Sequence, residues 1–199
     1  MEKTLPVMAK GQNQTTIKNI PNLLSFFRIG AVPFVVLCLF YSDPVMSFVG
    51  ALFFGLASIT DLLDGYIARH QKTETAIGKL LDPLADKLLI NSAMIMLIPL
   101  GRIPAWMVVL IVVRDVAVTG LRGVASAEGV IMAASKWGKR KTFVQSIALI
   151  GLILHYPYYG IDFHLLGMLL IWVAVVISIG SGVDYFYKFY RVQQKQSGV

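Results

Sequence analysis

The chain has 199 residues, 56% of them hydrophobic and 15% charged, with a mean hydropathy of +0.69, a balance that excludes an ordinary soluble domain. Its net charge of +7 is not gathered into one patch. The basic residues recur at alternate ends of apolar segments, which argues against a nucleic-acid partner and for a positive-inside membrane protein beside anionic headgroups.

Residues 1–16 are polar and lack the apolar core of a signal peptide, so they read as an N-terminal tail. Residues 17–191 read as one membrane catalytic domain, and 192–199 as a C-terminal tail. Six spans fit, at about 23–41, 45–69, 78–100, 104–127, 142–155 and 164–190, each near the ~20 residues needed to cross a hydrocarbon core of about 30 Å. The expected fold is therefore an all-α integral membrane protein of six transmembrane helices. The single cysteine, Cys38, falls within the first span and reads as a small packing residue. Pro44, Gly101 with Pro104, and Pro157 with Gly160 mark turns on one side. The other side collects Lys3, Lys10, Lys18, Arg69, Lys72, Lys79, Lys136, Lys139, Arg140, Lys141, Lys188, Arg191 and Lys195, against only Arg102 opposite. That asymmetry puts both termini in the cytoplasm.

The chemistry is concentrated where carboxylates interrupt apolar helix. Asp61 and Asp64 are three residues apart in the second span, and Asp82 and Asp86 four apart in the third, so each pair shares a helix face. With the cytoplasmic turn between Arg69 and Gly78, an antiparallel pair of helices brings the four together in two levels about 5 Å apart. Carboxylates at membrane depth need a cation or a water-filled cavity. An all-carboxylate set suits two hard divalent ions, Mg²⁺ or Mn²⁺, about 4 Å apart, and pyrophosphate is the natural ligand for such a pair. Helix capping or pairing with Arg69 and Lys87 is the plainer account of any one aspartate, and an ion pathway the alternative for the set. The sixteen residues from Val45 to Asp61 span about 24 Å of helix, which puts the site towards the cytoplasmic end of the core. The outer loops lack the polar residues that a transport pathway would show.

The pattern Asp61-x-x-Asp64-Gly65-x-x-Ala68-Arg69, eight residues, then Gly78-x-x-x-Asp82-x-x-x-Asp86 resembles the signature of the CDP-alcohol phosphotransferase family at every specified position. The resemblance implies a six-helix membrane enzyme, a homodimer, that transfers a substituted phosphate from a CDP-linked donor to an alcohol and releases CMP. It implies that Asp61 bridges two metals, that Asp64 holds one, and that Asp82 and Asp86 hold the other, with Asp86 also the general base. Gly65, Ala68, Arg69, Thr75 and Gly78 resemble the CDP-contacting positions. The planar fork of Arg69 suits phosphate or nucleotide, although an isolated arginine there would read as a positive-inside anchor.

The stretch from Asn19 to Arg28 resembles the start of bacterial phosphatidylglycerophosphate synthases, which implies a place for Pro21 and Asn22 at the CDP site. The alternative there is a helix start, with Asn22 capping, Ser25 bonding to backbone and Arg28 snorkelling. In the fourth span Arg114 lies too deep for positive-inside bias to explain. It needs a phosphate or a structural partner, for which Asp184 is one candidate. Asp115 and Thr119 lie between it and Arg122, and a connecting loop holds Ser135, Lys136, Gly138, Lys139, Arg140, Lys141 and Thr142. Gly138-Lys139-Arg140-Lys141-Thr142, followed by Gln145, resembles the same branch of the family. The implied acceptor is sn-glycerol 3-phosphate, held by Arg114, Arg122, Lys139 and Lys141, and the implied donor is CDP-diacylglycerol. Both would be drawn to the cytoplasmic face of a bacterial inner membrane. A phosphatidylinositol phosphate synthase and a divalent-cation transporter remain the alternatives, and the last span adds little to the choice.

Overall fold

The computed structural model describes the chain path over residues 20–41, 43–71, 76–127 and 136–196, and side chains over those ranges except 20–25, 61–71, 76–83, 136, 139, 192, 193, 195 and 196. Six helices carry nearly all of it: α1 (Ile20–Tyr41), α2 (Pro44–Gln71), α3 (Ala76–Leu97), α4 (Ala105–Ala127), α5 (Lys136–Leu154) and α6 (Phe163–Gln196). A two-stranded antiparallel hairpin, β1 (Pro157–Tyr158) and β2 (Ile161–Asp162), joins the last two.

The helix ends follow from local chemistry. Asp43 Oδ1 accepts the Met46 amide at 2.8 Å, with Pro44 in the first helical position, where its missing N–H costs nothing. Asp162 does the same for α6, accepting the Leu165 amide at 2.9 Å. Tyr159 and Gly160 both have positive φ, 53° and 79°, the conformation of a tight hairpin turn whose twist matches its strands. The sequence reading marked this turn by Pro157 and Gly160 without foreseeing the strands.

The largest difference concerns the fifth helix. It begins at Lys136, not near 142, so the basic stretch expected in a loop is the first two turns of α5. Helical spacing then puts Lys141 and Gln145 one turn apart on a single face. At the other end of the chain α1 begins at Ile20, so Asn22 lies within its first turn and not at the capping position. Arg28 is completely buried, which overturns the snorkelling account of it.

In the packing α1 lies against α2 and α3, α5 against α2 and α6, and α4 against α6. Leu39, Phe54, Leu89, Met94, Leu97, Met107, Ile111, Leu149, Ile153 and Ile171 form the core. Large apolar side chains also face outwards, among them Leu37, Phe40, Val113, Val116, Val176 and Val183. Among the described residues one helix, Phe163–Arg191, is long and apolar enough to cross a membrane, with Phe26–Tyr41 and Pro44–Thr60 as shorter apolar stretches. Arg102, expected in an outer loop, is buried there and donates to Ser47 Oγ at 3.1 Å and to the Ile153 carbonyl at 2.7 Å. Burial lowers its pKa, opposed by the nearby Tyr156 and Tyr158 hydroxyls.

The closest helix contact is between α5 and α6, where Gly151 and Gly167 let the backbones touch. A Cβ at Gly167 would lie 2.7 Å from the Leu152 nitrogen and 3.0 Å from the Ala148 carbonyl oxygen, and neither can move without shifting α5. Gly167→Ala should therefore destabilise the protein by about 1–3 kcal/mol, read as a lowered unfolding temperature in detergent. An unchanged temperature would mean that the helices do not cross so closely.

Candidate active site

A cavity of about 220 Å³ opens between α3, α4, α5 and α6. Asp86, Lys87, Ile90 and Asn91 come to it from α3. Arg114, Asp115, Val118, Thr119 and Arg122 come from α4, which runs the opposite way. Gly138, Lys141, Thr142 and Gln145 come from α5, and Tyr185 from α6. Three of the four cations expected around an acceptor phosphate, Arg114, Arg122 and Lys141, thus share one cavity with the expected base, Asp86. The side chain of the fourth, Lys139, lies outside the described residues, although its position on α5 is given.

Charges in an apolar bundle must be answered locally, and Asp115 does most of this. Its Oδ1 accepts from Arg114 Nη1 at 2.9 Å, and its Oδ2 from Lys141 Nζ at 2.5 Å. Lys141 is almost fully buried. Arg114 is held from its far side by α6. Its Nε donates to the Ser178 carbonyl at 3.2 Å and its Nη2 to Ser181 Oγ at 2.7 Å, with the Tyr185 ring 6.0 Å from its guanidinium carbon. Gly182 leaves room for this side chain, since a Cβ there would meet Arg114 Cγ at 3.2 Å. Asp184, the partner weighed for Arg114 from sequence, accepts instead from Lys188 one turn along α6.

A second chain of contacts ties α3 to α4. Lys87 Nζ donates to Thr119 Oγ1, and that hydroxyl donates to the Asp115 carbonyl at 2.7 Å. Lys87, weighed earlier only as a possible partner for an aspartate, is therefore a cavity cation. Asn91, Tyr185 and the Ser178–Gly182 stretch of α6 were missed altogether. A small-residue run, Ser178 to Gly182, in an otherwise apolar helix was the available signal. Arg122 stands exposed towards the basic end of α4.

Of the acidic set, Asp61 and Asp64 lie on α2 and Asp82 on α3, but their side chains are outside the described residues, as are those of Gly65, Ala68, Arg69 and Gly78. Thr75 and the side chains of Pro21 and Asn22 are outside them too. The two helices that carry the aspartates are consecutive and in contact, and Asp86, in the same face as Asp82, reaches the cavity.

The family model for CDP-alcohol phosphatidyltransferase matches residues 18–180, which take in both the acidic helices and the described lining of the cavity except Tyr185. The chain belongs to this family. It is 42% identical to a Bacillus subtilis CDP-diacylglycerol--glycerol-3-phosphate 3-phosphatidyltransferase, over 85% of this chain and 94% of that protein. It is 39% identical to the protein of the same name from Rickettsia bellii, with the same shares covered. A probable phosphatidylglycerophosphate synthase of Mycobacterium tuberculosis is 40% identical, over 88% of this chain and 83% of that protein.

Within this family member, Asp115 is the group on which the buried cations depend. Asp115→Ala strands the Lys141 ammonium without its carboxylate, and should cost about 3–5 kcal/mol. Adding Lys141→Met should recover part of that loss in thermal unfolding. A double variant no more stable than the single one would show that the pair is not coupled.

Proposed function

We propose that this protein transfers the phosphatidyl group of CDP-diacylglycerol to sn-glycerol 3-phosphate, giving phosphatidylglycerophosphate and CMP. The observation that carries the reading is the joining of Asp86 with Arg114, Arg122 and Lys141 in one cavity. Among the described residues the cavity lining has four cations, Lys87, Arg114, Arg122 and Lys141, and two carboxylates, Asp86 and Asp115. Four minus two leaves two positive charges, which suits an acceptor bearing a phosphate dianion and leaves a neutral alcohol without a reason for them. The names of the similar proteins point to the same donor and acceptor.

Asp61, Asp64, Asp82 and Asp86 would hold two divalent cations, Mg²⁺ or Mn²⁺. An all-oxygen donor set on two adjoining helices fits hard ions. When bound, they would offset the charge of the pyrophosphate and make CMP a better leaving group. Pro21, Asn22, Gly65, Ala68, Arg69, Thr75 and Gly78 would receive the CDP moiety. The chain's own chemistry is then a proton transfer and an alignment. Arg114, Arg122, Lys139 and Lys141 hold the acceptor phosphate, which points the acceptor hydroxyl towards Asp86. A carboxylate oxygen of Asp86 takes the hydroxyl proton as the oxygen attacks the phosphorus nearer the lipid. The new P–O bond forms as the bond to CMP breaks, with no covalent enzyme intermediate.

The remaining features fit a six-span enzyme of the bacterial inner membrane with both termini and the active site at the cytoplasmic face, working as a homodimer. The basic residues gather at one end of the helices, and the outward faces are apolar. A donor with its acyl chains in lipid could reach such a site with its headgroup.

CMP release from purified protein in detergent tests the whole reading, and should require CDP-diacylglycerol, glycerol 3-phosphate and a divalent ion together. EDTA should abolish it and Mg²⁺ or Mn²⁺ restore it. Cation flux without dependence on CDP-lipid would support the transporter, and turnover with inositol phosphate alone would move the acceptor. Asp86→Asn should reduce turnover by about 10²–10⁴-fold while CDP-lipid still binds; full turnover would remove Asp86 as the base. Arg114→Ala should raise the acceptor KM by about 10–100-fold, as expected for a lost hydrogen bond to a charged group, with the donor KM little changed.

A further inference from the structure

One polar group at the cavity is left without a protein partner. Gln145 is completely buried and lines the cavity. Its Nε2 lies 3.3 Å from Met94 Sδ, and its Oε1 has no hydrogen-bond donor. The orientation is the reasonable one, because thioether sulfur is a weak acceptor and has no proton to offer an amide oxygen. A buried carbonyl oxygen with no donor carries a penalty of about 1–3 kcal/mol, and that penalty is removed when a ligand supplies one. Gln145 lies four residues beyond Lys141 on α5, about 6 Å farther from the basic end. Asn91 lies five residues beyond Asp86 on α3 and lines the same cavity. On these two helices the amides thus lie farther from the basic end than the charged residues Lys141 and Asp86.

The geometry points to Gln145 as a specificity-determining residue, whose amide oxygen accepts a hydrogen bond from the acceptor hydroxyl that does not attack. The inference rests on the proposed acceptor class and narrows it. The substrate must be a phosphorylated polyol with at least two hydroxyls, one that attacks phosphorus and one that donates to Gln145. An acceptor with hydrogen at that second position leaves the oxygen orphaned. One with a ketone there sets two acceptor oxygens against each other. Sites built to pair a substrate hydroxyl reject analogues without it for this reason.

The test compares three acceptors by CMP release in the full-length protein: sn-glycerol 3-phosphate, 3-hydroxypropyl phosphate, which lacks the second hydroxyl, and dihydroxyacetone phosphate, which replaces it with a ketone. Wild-type protein should prefer glycerol 3-phosphate over 3-hydroxypropyl phosphate by about 10–100-fold in kcat/KM, and use the ketone least. In Gln145→Leu and Gln145→Met the activity on glycerol 3-phosphate should fall to nearly that on 3-hydroxypropyl phosphate, so the preference collapses towards one, while the donor KM stays within about twofold. Equal use of the two acceptors by wild-type protein overturns the inference without need of any variant. An unchanged preference in a folded variant also overturns it, and leaves the glycerol 3-phosphate reading intact. No CMP release from any of the three acceptors removes that reading, and this inference with it.

Discussion

A buried cation in an apolar helix bundle needs a counter-charge, and here one carboxylate serves two. Asp115 binds Arg114 and Lys141 from opposite oxygens, and so joins α4 to α5 at a point where neither helix is held by extensive apolar packing against the other. Without it the two cations would repel across a low-dielectric cavity. With it they stand as a fixed pair of donors. The rest of the site is arranged around that pair. Thr119 and Lys87 extend it to α3, and Ser178, Ser181 and Tyr185 extend it to α6.

The division of labour between helices follows. The aspartates of the signature lie on α2 and α3, both of which pack against α1. Apart from Lys87 and Asn91 of α3, the cations and amides that line the cavity lie on α4, α5 and α6. Asp86 brings the acidic face of α3 into that cavity, so on the proposed reading donor chemistry and acceptor choice meet there.

The α5 to α6 contact has a bearing on the site as well as on stability. The Gly151 and Gly167 crossing fixes α6 against α5 near the hairpin end. About three turns farther along α6, Ser178 to Gly182 receives Arg114. A rigid crossing at one end therefore sets the position of the side chain that α6 holds in the middle. The backbone carbonyl of Ser178 is available to Arg114 Nε only because a guanidinium can reach over the small residues around it.

Much was determined by the sequence alone, because the signals were periodic or charged. Apolar runs marked the six helices, and all six are present within a few residues except at the start of α5 and the end of α6, each of which extends six residues farther. The spacing of Asp61, Asp64, Asp82 and Asp86 carried the family, since helix geometry converts intervals of three and four into shared faces. Arg114, Arg122 and Lys141 stood out because charge in an apolar segment demands a reason. Only tertiary structure decided which of these charges meet. Asp115 chose Lys141, twenty-six residues away, and Arg114 chose Ser178 and Ser181 over Asp184. Neutral residues gave weaker signals: Gln145 stood out only by resemblance, Asn91 not at all, and Ser181 and Gly182 acquire a role only when packing sets them against Arg114.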